Sequence, residues 1–161
     1  MKKVFSLFTI AFVSMFALVL GVNAAELSSY IDGDKITLTE DAVVTTSYTV
    51  PSDVKVIDLG GKTLEIYNIP GHTQGSILLL LKEDRIIFVG DSINHHLWMQ
   101  VPGATKMDEF VKSLDRIMFL EEKADFILHG HANDFDDISL IRCLRQGALE
   151  ICQGKTQDDK P

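Results

Sequence analysis

Hydrophobic and polar residues alternate along residues 35–69 with the period of two that is typical of β-strands. Short runs rich in Val, Ile and Thr are separated by Pro51-Ser52-Asp53 and by Gly60-Gly61, which are common turn sequences. Strands should therefore be short here and lie close together along the chain. The pattern predicts them over residues 36–39, 43–50, 54–59 and 63–69.

Apolar runs in the middle of the chain predict a β-hairpin. Residues 77–82 and 85–89 flank Glu83-Asp84, which indicates two strands joined by a two-residue turn. A later apolar run, Phe126–Leu128, is short and reads as one more buried strand.

Two segments of the second half show the three- and four-residue spacing of amphipathic helices, Met107–Met118 and Ile138–Ile151. The first follows Thr105-Lys106-Met107-Asp108, which has the spacing of a capping box. For the second helix, Asp136 or Asp137 is the expected N-cap. Helices mixed with strands in this way predict an α/β fold.

The N-terminal residues 1–24 have the composition of a secretory signal peptide. Lys2 and Lys3 precede the apolar stretch Val4–Leu20, and the small-residue sequence Val22-Asn23-Ala24 follows it. We therefore expect the chain to be exported. An uncleaved membrane anchor is the alternative, because the apolar stretch nearly reaches the length needed to span a bilayer.

Length, charge and cysteine placement narrow the class of protein. A chain of 161 residues with 46% apolar residues is long enough to bury one core. Loss of Lys2 and Lys3 with a signal peptide would shift the net charge from −8 to −10, which disfavours binding to nucleic acid. Cys143 and Cys152 lie nine residues apart on one predicted helix, roughly 13 Å, so we expect no disulfide between them.

Three polar residues, each at the end of a predicted strand, are candidate metal ligands. His72 lies between Gly71 and Gly75 in the loop Pro70–Ser76, Asp91 follows Gly90, and His131 ends His129-Gly130-His131. Imidazole and carboxylate are common zinc ligands besides thiolate. The three residues are far apart in sequence, so the prediction requires the strand ends to meet at one edge of a sheet.

The residues around these positions resemble the metallo-β-lactamase superfamily. The matching segments are, in chain order, Asp58–Ile66, Pro70–Ile77, Ile87–Asp91 and Ala124–His131. The resemblance covers residues 54–152 and implies an αββα sandwich with a metal site at one edge. This chain would carry part of it, one sheet with two helices, behind a β-rich segment at 25–53 and before a polar tail at 153–161.

The resemblance implies a metal-dependent hydrolase of small esters, thioesters, lactams or phosphoesters. His72 corresponds to the ligand of the family's Pro-Gly-His loop, Asp91 to the carboxylate that bridges two metals, and His131 to the final histidine ligand. Complete relatives hold one or two ions, usually zinc. Iron and manganese are alternatives, because nitrogen and oxygen ligands suit all three metals.

One motif that the resemblance leads us to expect is missing. The family's His-x-His-x-Asp-His motif should precede the Pro-Gly-His loop, yet no His occurs before His72. Three ligands then remain of about six, so we expect an incomplete domain with weak or no activity alone. An exported non-catalytic β-rich module and a fused or truncated gene product are the alternatives. A homodimer would cover the sheet face that half a sandwich exposes.

Other residues near the candidate ligands are expected to form the wall of the site. His95 and His96 follow Asp91 closely but point apart if the segment is extended, so at most one would serve a metal. Trp98 is expected to wall the substrate site or to pack against neighbours. His129 competes with His131 as a ligand and is expected to support the loop.

Overall fold

The structure, a computed structural model, describes residues 31–38, 50, 53–131 and 133–155. The chain divides into two compact units, Met1–Thr63 and Leu64–Pro161, each of which is described by itself. The predicted signal peptide, nearly all of the predicted strand at 43–50 and most of the tail lie outside the described residues. No helix within the described part of the chain is both long and apolar enough to cross a membrane.

The described residues of the first unit form three short strands, β1 (Ile31–Asp32), β2 (Lys35–Thr37) and β3 (Val56–Asp58). β1 runs antiparallel to β2, and β2 runs parallel to β3. The register pairs Ile36 with Ile57, and both side chains are buried. The division between the units falls after Thr63. The start of the second domain at residue 54 stays a prediction.

The second unit is built on a sheet in which neighbouring strands follow chain order. Adjacent strands are antiparallel except the third and fourth of this sheet, which are parallel. These strands are β4 (Thr63–Asn68), β5 (Ile77–Leu81), β6 (Ile86–Gly90), β7 (Phe126–His129) and β8 (Asp136–Asp137). The carboxyl ends of the parallel strands β6 and β7 reach the same edge of the sheet.

Two helices cover one face of this sheet. They are α1 (Met107–Ile117), which continues into a 3-10 helix (Met118–Glu122), and α2 (Leu140–Cys152). The core row Leu80, Ile87 and Ile127 lies in register across three strands, and all three side chains are fully buried against the helices. The predicted α/β class, with one sheet and two helices in this half, is confirmed.

Both predicted helix caps are wrong. The N-cap of α1 is Lys106, with no side-chain cap, and the N–H and hydroxyl of Thr105 both donate to the Gly71 carbonyl instead, at 2.9 and 3.5 Å. The N-cap of α2 is Ser139, and Asp136 lies in β8. The nearby Asp137 carboxylate accepts the Ser139 N–H at 2.9 Å. Thr105 therefore binds a loop rather than the helix end, whereas Asp137 binds the N-cap residue of α2.

The hairpin between β5 and β6 has a longer turn than predicted. Four residues, 82–85, connect Leu81 to Ile86, and Arg85 adopts a left-handed conformation with φ of 56°. The Arg85 guanidinium donates to both carboxylate oxygens of Asp125, at 2.8 and 2.9 Å. This paired contact links the hairpin to the segment that leads into β7.

Candidate metal centre

The ends of β6 and β7 bring Asp91 and His131 together. The parallel register shifts between Phe88 and Gly90, where Gly90 takes a left-handed φ of 52° that favours glycine. The N–H of Gly130 donates to the Gly90 carbonyl at 3.0 Å, which holds the two loops side by side. As a result His131 Nε2 lies 3.2 Å from Asp91 Oδ1.

Gly130 makes this contact sterically possible. A Cβ atom on Gly130 would lie 2.5 Å from Asp91 Oδ1, closer than non-bonded atoms approach. The Asp91 carboxylate therefore lies directly over the bare Cα of Gly130. Any larger residue at position 130 would push the carboxylate away from His131.

His72 is held in the tautomer that a metal-binding histidine needs. Its Nδ1 lies 2.7 Å from the backbone carbonyl of Trp98. A carbonyl only accepts hydrogen bonds, so Nδ1 carries the proton and the Nε2 lone pair is left for another partner. Metal-binding histidines commonly donate their second ring N–H to a carbonyl or carboxylate in this way.

Asp136 bridges two other histidines. Its two carboxylate oxygens lie 3.0 Å from His95 Nε2 and 2.7 Å from His129 Nε2. These hydrogen bonds, the one to His95 above all, hold the pKa of the Asp136 carboxyl below its ordinary value. We name His95, His129 and Asp136 the bridged cluster. The His129 side chain is only 4% exposed, whereas that of His95 is 56% exposed.

The tautomer of His129 differs from that of His72. The backbone N–H of His131 donates to His129 Nδ1 at 3.3 Å, so the proton of a neutral His129 ring lies on Nε2 and is donated to Asp136. Asp136, His129 and the His131 backbone thus form one chain of hydrogen bonds. These hydrogen bonds link the bridged cluster to the contact between His131 and Asp91.

The bridged cluster lies in an open cleft with a volume of about 390 Å³. Imidazole and carboxylate groups form much of its lining, and the Phe135 ring lies at its surface, 48% exposed. The charged or titratable residues of the lining are His95, His96, His129, His131, Asp134 and Asp136. The cleft therefore offers nitrogen and oxygen ligands to a molecule or ion that enters from solvent.

The predicted ligands are only partly gathered. Asp91 and His131 are in contact, whereas the His72 ring hydrogen-bonds to the Trp98 carbonyl. Throughout the described ranges, three His, Cys, Asp or Glu side chains bring their ligand atoms within 4.8 Å of one another only in the bridged cluster. Metal binding by His72, Asp91 and His131 therefore stays a prediction.

The predicted wall residues have different surroundings. His95, His96 and His129 line the cleft, as does His131. Trp98 is 69% exposed and is not part of the lining. The N–H of His96 is held at 2.7 Å by the side chain of Asn94, which fixes the loop on which His95 lies.

Asp136 is the site residue that the sequence reasoning missed. Its position two residues before a predicted helix suggested an N-cap. In the structure β8 pairs antiparallel with β7, with Ile127 opposite Asp136, so the chain returns past His129. A hairpin prediction after His129-Gly130-His131 could have found it, but the two-residue strand Asp136–Asp137 is too short to leave a sequence pattern.

The residues of the cleft suit a divalent cation. Imidazole nitrogen and carboxylate oxygen are the donor types of many zinc sites. Binding at the bridged cluster would replace hydrogen bonds worth roughly 1.5–3 kcal/mol each when a charged group takes part.

Comparison with known proteins gives consistent matches. The sequence pattern of the Metallo-beta-lactamase superfamily matches residues 12–131, a range that begins inside the predicted signal peptide. Acyl-coenzyme A thioesterase MBLAC2 of Bos taurus is 30% identical over 95 residues, 58% of this chain and 34% of the relative. The Homo sapiens protein of that name is 30% identical over 92 residues, 56% of this chain and 33% of the relative. The chain thus spans about a third of the length of these curated relatives.

Solved structures share the fold at low sequence identity. TMB-1 superposes with a TM-score of 0.52 at 19% identity, covering 68% of this chain and 50% of that chain. VMB-1 gives a TM-score of 0.51 at 19% identity, covering 68% of this chain and 49% of that chain. At such identities the likeness concerns the fold alone.

Proposed function

The chain belongs to the metallo-beta-lactamase superfamily, and from that premise we propose that it is a metal-dependent hydrolase acting at the edge where β6 and β7 end. One observation carries the proposal, the 3.2 Å contact between His131 Nε2 and Asp91 Oδ1. Two residues forty positions apart, both of types that bind metals, meet at the end of the parallel strands. A divalent cation between them would replace the weaker contact that they make with each other.

Each residue of this edge has a distinct task in the proposal. Asp91 and His131 hold the cation, and Gly130 leaves room for the carboxylate. His72 presents Nε2, because the Trp98 carbonyl fixes the proton on Nδ1. A bound divalent cation supplies Lewis acidity, which polarises a carbonyl oxygen and lowers the pKa of water. Zinc is the proposed metal, and residues 1–24 are proposed to direct export.

We propose a thioester as the substrate. The support is the similarity to acyl-coenzyme A thioesterases at 30% identity. The net charge of −8 repels the phosphate groups of coenzyme A, so we expect kcat/KM for an acyl-coenzyme A to rise with ionic strength. An uncharged aryl thioester should not show this rise. The rate is expected to be low, because the sequence supplies three of the family's ligand positions.

The test is thiol release from an acyl-coenzyme A by the full chain, with added zinc and after chelation. Activity should require the metal, and Asp91→Asn and His131→Gln should each remove most of it. Asp108→Asn is the matched control, since this carboxylate is exposed on α1 and pairs only with Lys112 among the contacts described for it. Activity that survives chelation, or that Asp91→Asn leaves intact, would refute the proposal. Cleavage of a lactam or phosphoester but not a thioester would refute the substrate class alone.

A further inference from the structure

We propose that the bridged cluster is a cation site in its own right, which takes one Zn²⁺ through His95, His129 and Asp136. None of these residues is among the three ligand positions, His72, Asp91 and His131, that the superfamily resemblance indicates. The inference therefore does not depend on the proposed hydrolase activity. The proposed ligands are three side chains that line the cleft.

The donor set has the composition of an open zinc site. Two imidazole nitrogens and one carboxylate oxygen lie within 4.8 Å of one another. Zinc sites that keep a position for water or substrate commonly use three protein ligands, including two histidines and a carboxylate. The fourth position would face the cleft, since all three side chains line it.

The fold holds the three ligands without metal. His129 ends the buried strand β7, and Asp136 is set beside it by the antiparallel pairing of β8. His95 lies on the loop after β6, which Asn94 ties down by bonds to the Asp91 carbonyl and the His96 N–H. Asp136 already holds both rings by Nε2, the atoms that would coordinate the ion.

Binding requires a change of tautomer at both rings, because His95 and His129 each donate an Nε2–H to the Asp136 carboxylate. The proton of His129 lies on Nε2, so coordination there moves the proton to Nδ1 and breaks the 3.3 Å hydrogen bond from the His131 N–H. That bond is at the long end of the range for N–H donors. Because His131 contacts Asp91, the backbone at His131 would register the arrival of the ion.

The ligand types predict which cations bind. Calcium and magnesium prefer all-oxygen sites, and magnesium keeps several waters, so neither should compete well for two imidazoles. Zinc suits nitrogen and oxygen donors in a tetrahedral arrangement. Millimolar magnesium should therefore leave zinc binding almost unchanged.

The experiment is calorimetric titration of the metal-free, full 161-residue chain with zinc chloride. We expect His95→Gln and Asp136→Asn each to remove one equivalent of zinc or to weaken its binding about tenfold or more. Asp134→Asn is the matched control, because it removes the same charge from the same cleft but its carboxylate accepts only a local N–H from Phe135 among the described contacts. That variant should bind zinc within about twofold of the native chain.

Two results would overturn the inference. One is native zinc binding that His95→Gln and Asp136→Asn leave unchanged, and the other is no zinc binding by the native chain at micromolar concentrations. His95 is exposed, so His95→Gln should fold normally, which circular dichroism checks even if Asp136→Asn unfolds. Zinc binding at the cluster in a protein that hydrolyses no thioester would support this inference and refute only the proposed function.

Discussion

Gly71→Ala tests how the fold supports the His72 loop. Gly71 is buried, and a Cβ atom there would lie 2.5 and 2.7 Å from two ring carbons of Phe110. The Phe110 ring is 1% exposed in the core, so it has no room to withdraw. Gly71 does not have a positive φ, and the strain of the substitution is therefore purely steric.

The magnitude follows from two opposing terms. Overpacking a core costs roughly 1–3 kcal/mol. Replacing Gly by Ala at an ordinary φ lowers the entropy of the unfolded chain and returns about 0.4–1 kcal/mol. We therefore expect Gly71→Ala to lower the free energy of unfolding by about 1.3 kcal/mol at the middle of these ranges and by at most about 2.6 kcal/mol. The same change at Gly75 in the same loop meets no atom within 4 Å and should raise it by about 0.4–1 kcal/mol.

Urea unfolding of the native chain and both variants measures the two effects with opposite signs. Phe110→Leu should relieve the clash, so the double variant Gly71→Ala with Phe110→Leu should be more stable than the sum of the single changes by about 1 kcal/mol. If Gly71→Ala were as stable as Gly75→Ala, or if the double variant were additive, the close packing of the His72 loop on Phe110 would be wrong.

Three further predictions concern the edge of the sheet where β6 and β7 end and the bridged cluster beside it. Gly130→Ala should lower the rate of hydrolysis roughly 10- to 100-fold, because the added methyl group displaces the Asp91 carboxylate. The free energy of unfolding should change by no more than about 0.5 kcal/mol, since this carboxylate is half exposed and can move aside. An unchanged rate would contradict the contact between Gly130 and Asp91. The pKa of Asp136 is lowered on folding, so the ionised carboxylate stabilises the fold above the ordinary pKa of 3.8, and this stabilisation is lost as the pH falls below that value. Urea unfolding at a series of acidic pH values should therefore show a steeper loss of unfolding free energy in the native chain than in Asp136→Asn. Equal pH dependence in the two proteins would count against the contacts of Asp136 with His95 and His129. Trp98→Ala should leave zinc affinity unchanged in calorimetry, since the backbone carbonyl holds His72; a tenfold loss would point to the indole.

Much of the second unit could be predicted from the spacing of apolar residues. The amphipathic helices at 107–118 and 138–151 became α1 and α2, and the apolar runs 77–82 and 85–89 became β5 and β6. These segments are long enough for a period to be visible. Their buried faces also determine how they pack, so local pattern and tertiary structure agree.

The rest depended on contacts between residues far apart in sequence. Thr105 resembled a helix cap, but its N–H donates to the Gly71 carbonyl and its side chain caps no helix. Asp136 likewise resembled a cap. The strand β8 that pairs it with β7 is only two residues long, too short to show a β-strand pattern in the sequence. The contact between Asp91 and His131 was predicted only as a convergence of strand ends, and its geometry depends on Gly130.

Diffraction from zinc-soaked crystals of the full chain, recorded at the zinc absorption edge, tests the central claim most directly. The account predicts anomalous peaks within coordination distance, about 2.0–2.2 Å, of imidazole nitrogens and carboxylate oxygens at the ends of β6 and β7 and at the bridged cluster. Crystals that diffract well, yet show no peak in contact with His131, Asp91, His129 or Asp136, would contradict it.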